Sequence, residues 1–234
     1  MLEISHLTKR YGEKLAVDDL SLTINNGEIY GFIGHNGAGK TTTLKAAVGI
    51  LDYDEGRISS DGVLLSEDPI EYKKRLAYIP DNPDLYEFMT GTKYLYFIAD
   101  VFGISEKARI ERIEKYSVSF DIKNALDQPI ASYSHGMKQK LAIISAWIHE
   151  PKLIVLDEPF VGLDPKAAHI LKDMMRSFCD AGGAIFFSTH VLEVAEKLCD
   201  RVAIIKEGKL IRNGTMEEVR GDVSLESVFL ELEG

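Results

Sequence analysis

Cysteine and long apolar runs are both scarce in this sequence. Only two cysteines, Cys179 and Cys199, occur among its 234 residues. They stand singly, without the spacing of metal ligands, so we expect reduced thiols in the protein core. The longest apolar run, LAIISAWI at 141–148, falls far short of the roughly 20 residues that a membrane-spanning helix needs.

Concentrated basic charge is also missing. The formal net charge is −10, and no block of Lys and Arg interrupts the acidic balance. This argues against direct nucleic-acid binding, which needs a basic face, but does not exclude a membrane protein as partner. The N-terminal stretch MLEISHLTKR lacks the apolar core of a signal peptide, so we expect the chain to stay in the cytosol.

Strand and helix patterns alternate along most of the chain, which predicts an α/β fold with a largely buried sheet. Strand patterns come first and include a turn at Asp61-Gly62. Helical periodicity runs from about Leu85 to Ser119. Strand patterns then return, the last as a hairpin around Glu207-Gly208, and the amphipathic tail SLESVFLELEG closes the sequence.

The stretch GHNGAGKT at 34–41 matches the phosphate-loop pattern G-x-x-x-x-G-K-[ST], between a strand and a helical segment. Its glycines let backbone N–H groups converge on phosphate oxygens, and the helix start adds its dipole. Lys40 can bridge the β- and γ-phosphates, while the Thr41 hydroxyl can ligate Mg²⁺. An ordinary glycine turn before a helix is the alternative, which this context disfavours. The residues expected to bind the nucleotide are Gly34, Asn36, Gly37, Ala38, Gly39, Lys40, Thr41 and Thr42.

A second candidate site is KLIVLDEPF at 152–160, a buried-strand pattern that ends in two carboxylates. An acid at the tip of a parallel strand faces the ligand crevice beside the phosphate loop. We therefore expect Asp157 to hold Mg²⁺, directly or through water, and Glu158 to act as general base on the attacking water. The alternative is a solvated strand end.

The stretch AIFFSTH at 184–190 is another apolar strand that ends in polar residues. His190 could contact the γ-phosphate and orient the attacking water. A single histidine after a strand can also be structural, or lie beside the start of the next helix. Its place after a third core strand favours the functional interpretation.

Taken in order, the motifs GHNGAGKT, YSHGMKQK, IVLDEP, VGLDP and STH resemble the ABC-type ATPase family over essentially the whole chain. The resemblance implies one ABC-type ATPase domain over 1–234. That domain is a P-loop NTPase core of mixed or parallel sheet, with an N-terminal antiparallel β subdomain and a helical subdomain inserted at about 83–148. Tyr11 matches the family's adenine-stacking aromatic, or is simply a strand aromatic.

By the same resemblance, Ser134-His135-Gly136-Met137 occupies the signature motif and Gly162-Leu163-Asp164 the dimer-contact loop. In this family the signature of one chain faces the phosphate loop of another, which implies a homodimer that closes on ATP. Ser134 Oγ and the Gly136 N–H would then contact the neighbour's γ-phosphate. Ser134 can also cap its own helix, with the same oxygen.

Three positions depart from the family pattern. His135 stands where Gly is usual and Met137 where Gln is frequent. His135 could add a donor near phosphate or face the subdomain surface, and we favour the second. Asp81 stands in the loop YIPDNPDLY where the family commonly has a glutamine that contacts Mg²⁺ and senses the membrane partner. An ionised Asp81 can accept from metal-bound water but cannot donate.

The resemblance implies an ATP- and Mg²⁺-dependent ATPase that powers a membrane transporter. The tail and the form YSHGMKQKL look like the ATPase subunits of bacterial ABC exporters, which pair with a separately encoded membrane subunit. The chain would then lie in the cytoplasm, on the inner face of the membrane. The aromatic-rich segment 85–102 could receive that subunit, or be subdomain core.

Two other functions remain as alternatives. A soluble ABC ATPase acting on chromosomes or ribosomes would show a coiled-coil insertion, a second ATPase copy or a basic face, and the sequence has none of these. A P-loop kinase with an acceptor pocket would leave YSHGMKQK and STH without a purpose.

Overall fold

The computed structural model describes residues 1–233 and contains two β-sheets. An antiparallel sheet has the order β2-β1-β4-β5 and is formed by β1 (Leu2–Tyr11), β2 (Lys14–Ile24), β4 (Glu55–Ser60) and β5 (Val63–Leu64). A six-stranded sheet is formed by β3 (Ile29–Ile33), β6 (Leu76–Ile79), β7 (Leu153–Asp157), β8 (Ala184–Thr189), β9 (Arg201–Lys206) and β10 (Lys209–Thr215).

The six-stranded sheet has the order β10-β9-β3-β8-β7-β6. All its pairings are parallel except that of β9 with β10. Every residue of β3, β7 and β8 is buried. A parallel sheet covered on both faces requires such continuous apolar strands, because neither face meets water. The parallel pairings therefore bring the carboxyl ends of β3, β7 and β8 to one edge.

Nine α-helices connect or cover these strands within the described part of the chain. They are α1 (Lys40–Ala47), α2 (Pro69–Lys74), α3 (Gly91–Val101), α4 (Glu106–Ser119), α5 (His135–Trp147), α6 (Pro165–Asp180), α7 (Leu192–Leu198), α8 (Met216–Arg220) and α9 (Leu225–Glu233). Among residues 1–233, no helix is both long and apolar enough to span a membrane.

The predicted α/β fold with an N-terminal antiparallel part is confirmed. The hairpins at Asp61-Gly62 and Glu207-Gly208 are also present. Both cysteines are free and buried, as expected. The last residue of the predicted tail, Gly234, lies outside the described residues.

The helical stretch predicted from about Leu85 to Ser119 forms two helices and begins later than expected. Residues 85–90 are not helical, and α3 begins only after Thr90, whose side chain accepts from Lys93 N. A second break separates α3 from α4, where Ser105 caps the new helix. Helices α3, α4 and α5 all fall between β6 and β7 in the chain. The extent of a subdomain at 83–148 stays a prediction.

A half-buried histidine contacts this helical segment. His149 follows α5, and its ring stacks on Phe102 after α3 with centroids 3.8 Å apart and planes inclined by 11°. His149 Nδ1 lies 3.4 Å from Ser145 O. Burial, the largest cause, lowers the pKa of His149 below its usual value, and the nearby Arg112 guanidinium lowers it further. The folded protein therefore resists protonation of this ring.

This histidine predicts a loss of stability in mild acid. Below about pH 6.5 the unfolded chain takes up a proton at His149 that the folded chain resists, so the unfolded state binds more protons and the free energy of unfolding falls as pH falls. The slope reaches up to about 1.4 kcal/mol per pH unit. Urea unfolding between pH 7.5 and 5.5 should show it.

His149→Gln should flatten this slope, whereas His169→Gln, at an exposed position on α6, should leave it as in the parent. An equal slope in the parent and in His149→Gln would show that His149 does not cause it.

Candidate active site

The phosphate loop joins β3 to α1 and passes through two positions that only glycine can occupy. Gly39 has φ of 112°, and a Cβ there would lie 2.5 Å from Ala16 O. A Cβ on Gly34 would lie 2.5 Å from Ile205 O. The loop is therefore packed directly against β2 and β9, which holds its backbone N–H groups at the start of α1.

Lys40 is buried within this loop. Its ammonium donates to Gly34 O at 2.5 Å and to His35 O at 3.3 Å. It also lies 3.5 Å from Glu158 Oε1, at the end of β7. One buried cation therefore connects the phosphate loop to the carboxylates of the neighbouring strand end.

Asp157 ends β7 and is paired in register with Ser188 of β8. Ser188 Oγ donates to Asp157 Oδ1 at 2.5 Å. The other oxygen, Oδ2, is buried without a hydrogen-bond partner. A buried carboxylate oxygen without a donor is costly unless a cation binds there, so Asp157 fits a Mg²⁺ ligand.

The described residues hold no group of three or more His, Cys, Asp or Glu side chains suited to a metal. A cation at Asp157 would therefore depend on few protein ligands, with the Thr41 hydroxyl as the second candidate. Mg²⁺ is commonly held in this way, by one or two protein oxygens together with water and nucleotide phosphates.

Glu158 follows directly and has an unusual backbone, with φ of 48°. Its N–H donates to Ser188 Oγ at 3.1 Å, and its side chain is only 14% exposed. His190 Nδ1 lies 2.9 Å from Glu158 Oε1, yet this buried oxygen accepts no hydrogen bond of good geometry. A left-handed non-glycine residue costs on the order of 1–3 kcal/mol and is concentrated at functional sites. The turn aims the carboxylate at Lys40 and His190.

Most of the predicted site residues line one cavity of about 250 Å³. Tyr11, half-exposed at the end of β1, lies at this cavity as well. The predicted residues in its wall are Tyr11, Asn36, Gly37, Gly39, Lys40, Thr41, Thr42, Asp81, Asp157 and Glu158. Ala38 instead lines an adjacent cavity of about 200 Å³. Gly34 and His190 contact the site through Lys40 and Glu158.

Ser134 and Gly136 lie elsewhere, at the start of α5. Ser134 Oγ accepts from Met137 N at 3.3 Å and so caps the helix. A Cβ on Gly136 would lie 2.8 Å from Gly162 O, and Lys140 Nζ lies 2.7 Å from Asp164 Oδ2. The signature segment is thus packed against the VGLDP loop of its own chain.

The exposed His135 ring lies against this loop too. A Cβ on Gly162 would lie 2.4 Å from the ring. The sequence left a phosphate role and a surface role open for this histidine and did not indicate the contact with Gly162. The contact needs both a bulky residue at 135 and a glycine at 162.

Two further residues of the site were missed from sequence. Ser188 was quoted only as part of a strand, because its pairing with Asp157 depends on which strands are neighbours. The Tyr78 hydroxyl is buried without a partner. Burial, and then the carboxylates of Asp157 and Asp81, raise the pKa of Tyr78 well above its usual value. The hydroxyl therefore stays protonated, as a neutral donor beside the acidic strand end.

The family model described as ABC transporter matches residues 17–161, which include the phosphate loop, the signature segment and both acids. The chain belongs to the ABC transporter family. Because the matched part of the family binds and hydrolyses ATP, the chain is an ATPase and a nucleotide-binding subunit.

Individual relatives agree with this assignment over nearly the full length. The ABC-type transporter ATP-binding protein EcsA of Bacillus subtilis (strain 168) is 35% identical over 99% of this chain and 96% of the relative. The Nod factor export ATP-binding protein I of Burkholderia lata is 36% identical over 91% of this chain and 70% of the relative. A solved structure described as the ATP binding subunit of an ABC transporter superposes with a TM-score of 0.96, at 36% identity and full coverage of both chains.

Ser188 should tune the metal requirement of this ATPase. Ser188→Ala removes the donor that fixes Asp157 Oδ1, and losing such an outer partner typically costs about 10- to 100-fold in metal affinity. We expect half-maximal ATPase activity to require correspondingly more Mg²⁺, with most of the maximal rate regained at saturation. Titrating Mg²⁺ at fixed ATP measures this.

The matched control is Ser177→Ala, which removes an exposed hydroxyl on α6, away from the site. It should leave the Mg²⁺ requirement as in the parent. An unchanged requirement in Ser188→Ala would mean that the hydrogen bond to Asp157 is not what prepares the metal ligand.

Proposed function

We propose that this chain is the ATP-hydrolysing subunit of a membrane exporter, driven by closure of two chains on ATP. One observation carries the proposal: a buried lysine, an orphaned carboxylate oxygen and an imidazole converge on one sheet edge. The signature segment stands apart from that cavity and is free to serve another chain.

The residues around the cavity divide the work of holding the nucleotide. Lys40 would turn from the loop carbonyls to the β- and γ-phosphates, and Tyr11 would stack on the adenine. Thr41 and Asp157 would hold Mg²⁺, with Asp81 reaching it through water. When bound, Mg²⁺ neutralises charge on the phosphate oxygens.

Glu158 is the proposed general base. Its carboxylate is nearly buried and is held between Lys40 and His190. When Lys40 engages phosphate, Glu158 Oε1 would be free to accept a proton from a water that attacks the γ-phosphorus. The bond from that phosphorus to the bridging oxygen breaks in the same reaction, and ADP leaves. His190 Nδ1, 2.9 Å from Glu158 Oε1, would hold the carboxylate and the water in line.

The signature segment is proposed to complete the site of a second chain. Ser134 Oγ and the Gly136 N–H lie at the start of the 13-residue helix α5. A helix start favours an anion. Because Gly136 and His135 pack on Gly162, the signature and the dimer-contact loop would meet the partner as one unit.

The membrane subunit is proposed to bind an aromatic patch formed by Tyr86, Phe88, Tyr94 and Phe97. The rings of Phe88, Tyr94 and Phe97 lie 5.9, 6.2 and 5.8 Å from that of Tyr86. Phe88 is 82% exposed, which is costly unless a partner covers it. The interpretation of segment 85–102 as pure subdomain core does not account for this exposure.

The same segment offers a path to the nucleotide. Asp81 lines the cavity, and five residues later the chain enters the aromatic patch. Glu87, inside the patch segment, forms an ion pair with Lys138 of the signature helix. Movement of the aromatic patch on binding of the membrane subunit would therefore displace Asp81 through the backbone and Ser134 through α5.

Export is proposed because a relative that is 36% identical to this chain, the Nod factor export ATP-binding protein I, is named as an export protein. The chain would then work on the cytoplasmic face, carried by its membrane subunit. The acidic net charge of −10 gives no support to a function on nucleic acid.

Phe88→Glu should separate this function from the alternatives. The tagged chain is isolated from detergent-solubilised membranes of its native host, and a multispanning protein that raises its ATPase rate on reconstitution in vesicles is expected. Phe88→Glu should abolish both capture and stimulation and leave basal ATPase within about twofold, because a charge cannot be buried without a partner.

The matched control is Ile110→Glu, which places the same charge at an exposed apolar position on α4 and should keep capture and stimulation. Capture of ribosomal or chromosomal proteins with no membrane protein would contradict the proposal. So would full stimulation of Phe88→Glu.

A further inference from the structure

The C-terminal helix α9 is fixed at three points along its length. At its start, Leu225 N donates to Glu196 Oε2 at 3.1 Å. In its middle, the Phe229 ring meets the His35 ring edge to face, with centroids 4.9 Å apart. At its end, Lys206 Nζ donates to Leu232 O at 3.0 Å. These three partners belong to α7, the phosphate loop and β9.

The contact with His35 lies inside the phosphate loop. His35 O accepts from Ala38 N at 3.1 Å and from Lys40 Nζ at 3.3 Å. The same residue therefore offers its ring to α9 and its carbonyl to the phosphate-binding lysine. The packing of the ring against α9 therefore bears on the position of a carbonyl that contacts Lys40.

The loop is also fixed by the hairpin of β9 and β10. Gly208 N donates to Ala38 O at 2.8 Å, and a Cβ on Gly34 would lie 2.5 Å from Ile205 O. The loop is thus held by contacts with both the hairpin and α9. Phe229 is 8% exposed, so its ring is held by its neighbours and can restrict the position of the His35 ring.

The contact at the start of α9 reaches the other half of the site. Glu196 accepts from Leu225 N and also pairs with Arg220 at the end of α8, at 3.0 Å. Glu196 belongs to α7, which begins two residues after His190. One helix therefore contacts both the loop that binds phosphate and the helix that follows the imidazole.

We propose that α9 is a positioning element for the phosphate loop, and that Phe229 acts on nucleotide affinity through His35. The tail is thereby part of the ATPase machinery, through the contact of Phe229 with His35. By linkage, nucleotide binding and the docking of α9 favour each other.

A double-mutant cycle on MgADP binding tests the proposal with the full-length chain. Phe229→Ala and His35→Ala should each raise the dissociation constant for MgADP about twofold to tenfold, the worth of an aromatic pair. The double variant should lose no more than either single variant, because both remove the same contact. Calorimetric titration gives these constants.

His35→Phe keeps a ring against Phe229 and should bind MgADP within about twofold of the parent. In ATPase assays, Phe229→Ala and His35→Ala should raise KM and leave kcat within about twofold. Leu230→Ala, at the next and 64% exposed position of α9, is the matched control and should change neither quantity.

His35 is at an exposed loop position and also lines the nucleotide cavity, so the double-mutant cycle is needed to assign a loss of affinity to the contact with Phe229. Unchanged MgADP affinity in His35→Ala would overturn the proposal. The proposal would also be overturned if the losses of MgADP affinity in the two single variants multiplied in the double variant. A fall in kcat at constant KM in either single variant would overturn it as well.

Discussion

The hydrogen bond between Ser188 and Asp157 is the interaction on which the site depends most. It joins the ends of β7 and β8, whose residues pair in parallel register. Ser188 donates to Oδ1, the buried Oδ2 of Asp157 has no hydrogen-bond partner, and Glu158 N is held by the same hydroxyl. One serine thus sets the positions of both acids, and the register of two buried strands sets the position of the serine.

Other contacts hold the phosphate loop and the signature segment in place, whereas the segment that follows Asp81 has fewer contacts. The phosphate loop is in contact with Ile205 and Gly208 of the β9–β10 hairpin and with Phe229 of α9. The signature segment is bound to the VGLDP loop through Gly162. The segment from Asp81 to Met89 is not helical, and only its last residues are tied by backbone hydrogen bonds to another part of the chain, from Ala131 N to Glu87 O and from Ile130 N to Met89 O. It is the part best suited to transmit movement.

The features that could be predicted from the sequence are those that a local pattern of residues determines. The strand ends at Asp157 and His190 and the glycine loop follow from apolar runs and fixed motif spacing, and most of the predicted ligands meet in one cavity. The helical prediction from about Leu85 failed over 85–90, because aromatic periodicity continues through residues whose backbone pairs with 130–131 instead. Contacts such as Ser188 to Asp157, His135 to Gly162 and Phe229 to His35 depend on which elements are neighbours, and no local pattern encodes that. The catalytic and trans roles stay predictions.

The central claim is that the phosphate loop of one chain and the signature of another form one site. Ser134→Arg and Lys40→Ala chains, each also carrying Glu158→Gln to slow hydrolysis by roughly 10²–10⁴, are mixed and tested for retained ATP. Neither variant alone should retain ATP, since the first blocks closure and the second cannot hold phosphate. The mixture should retain one ATP per heterodimer, between the loop of the Ser134→Arg chain and the signature of the Lys40→Ala chain. If Ser134→Arg with Glu158→Gln dimerises and retains ATP alone, as we expect of Glu158→Gln by itself, the claim is contradicted.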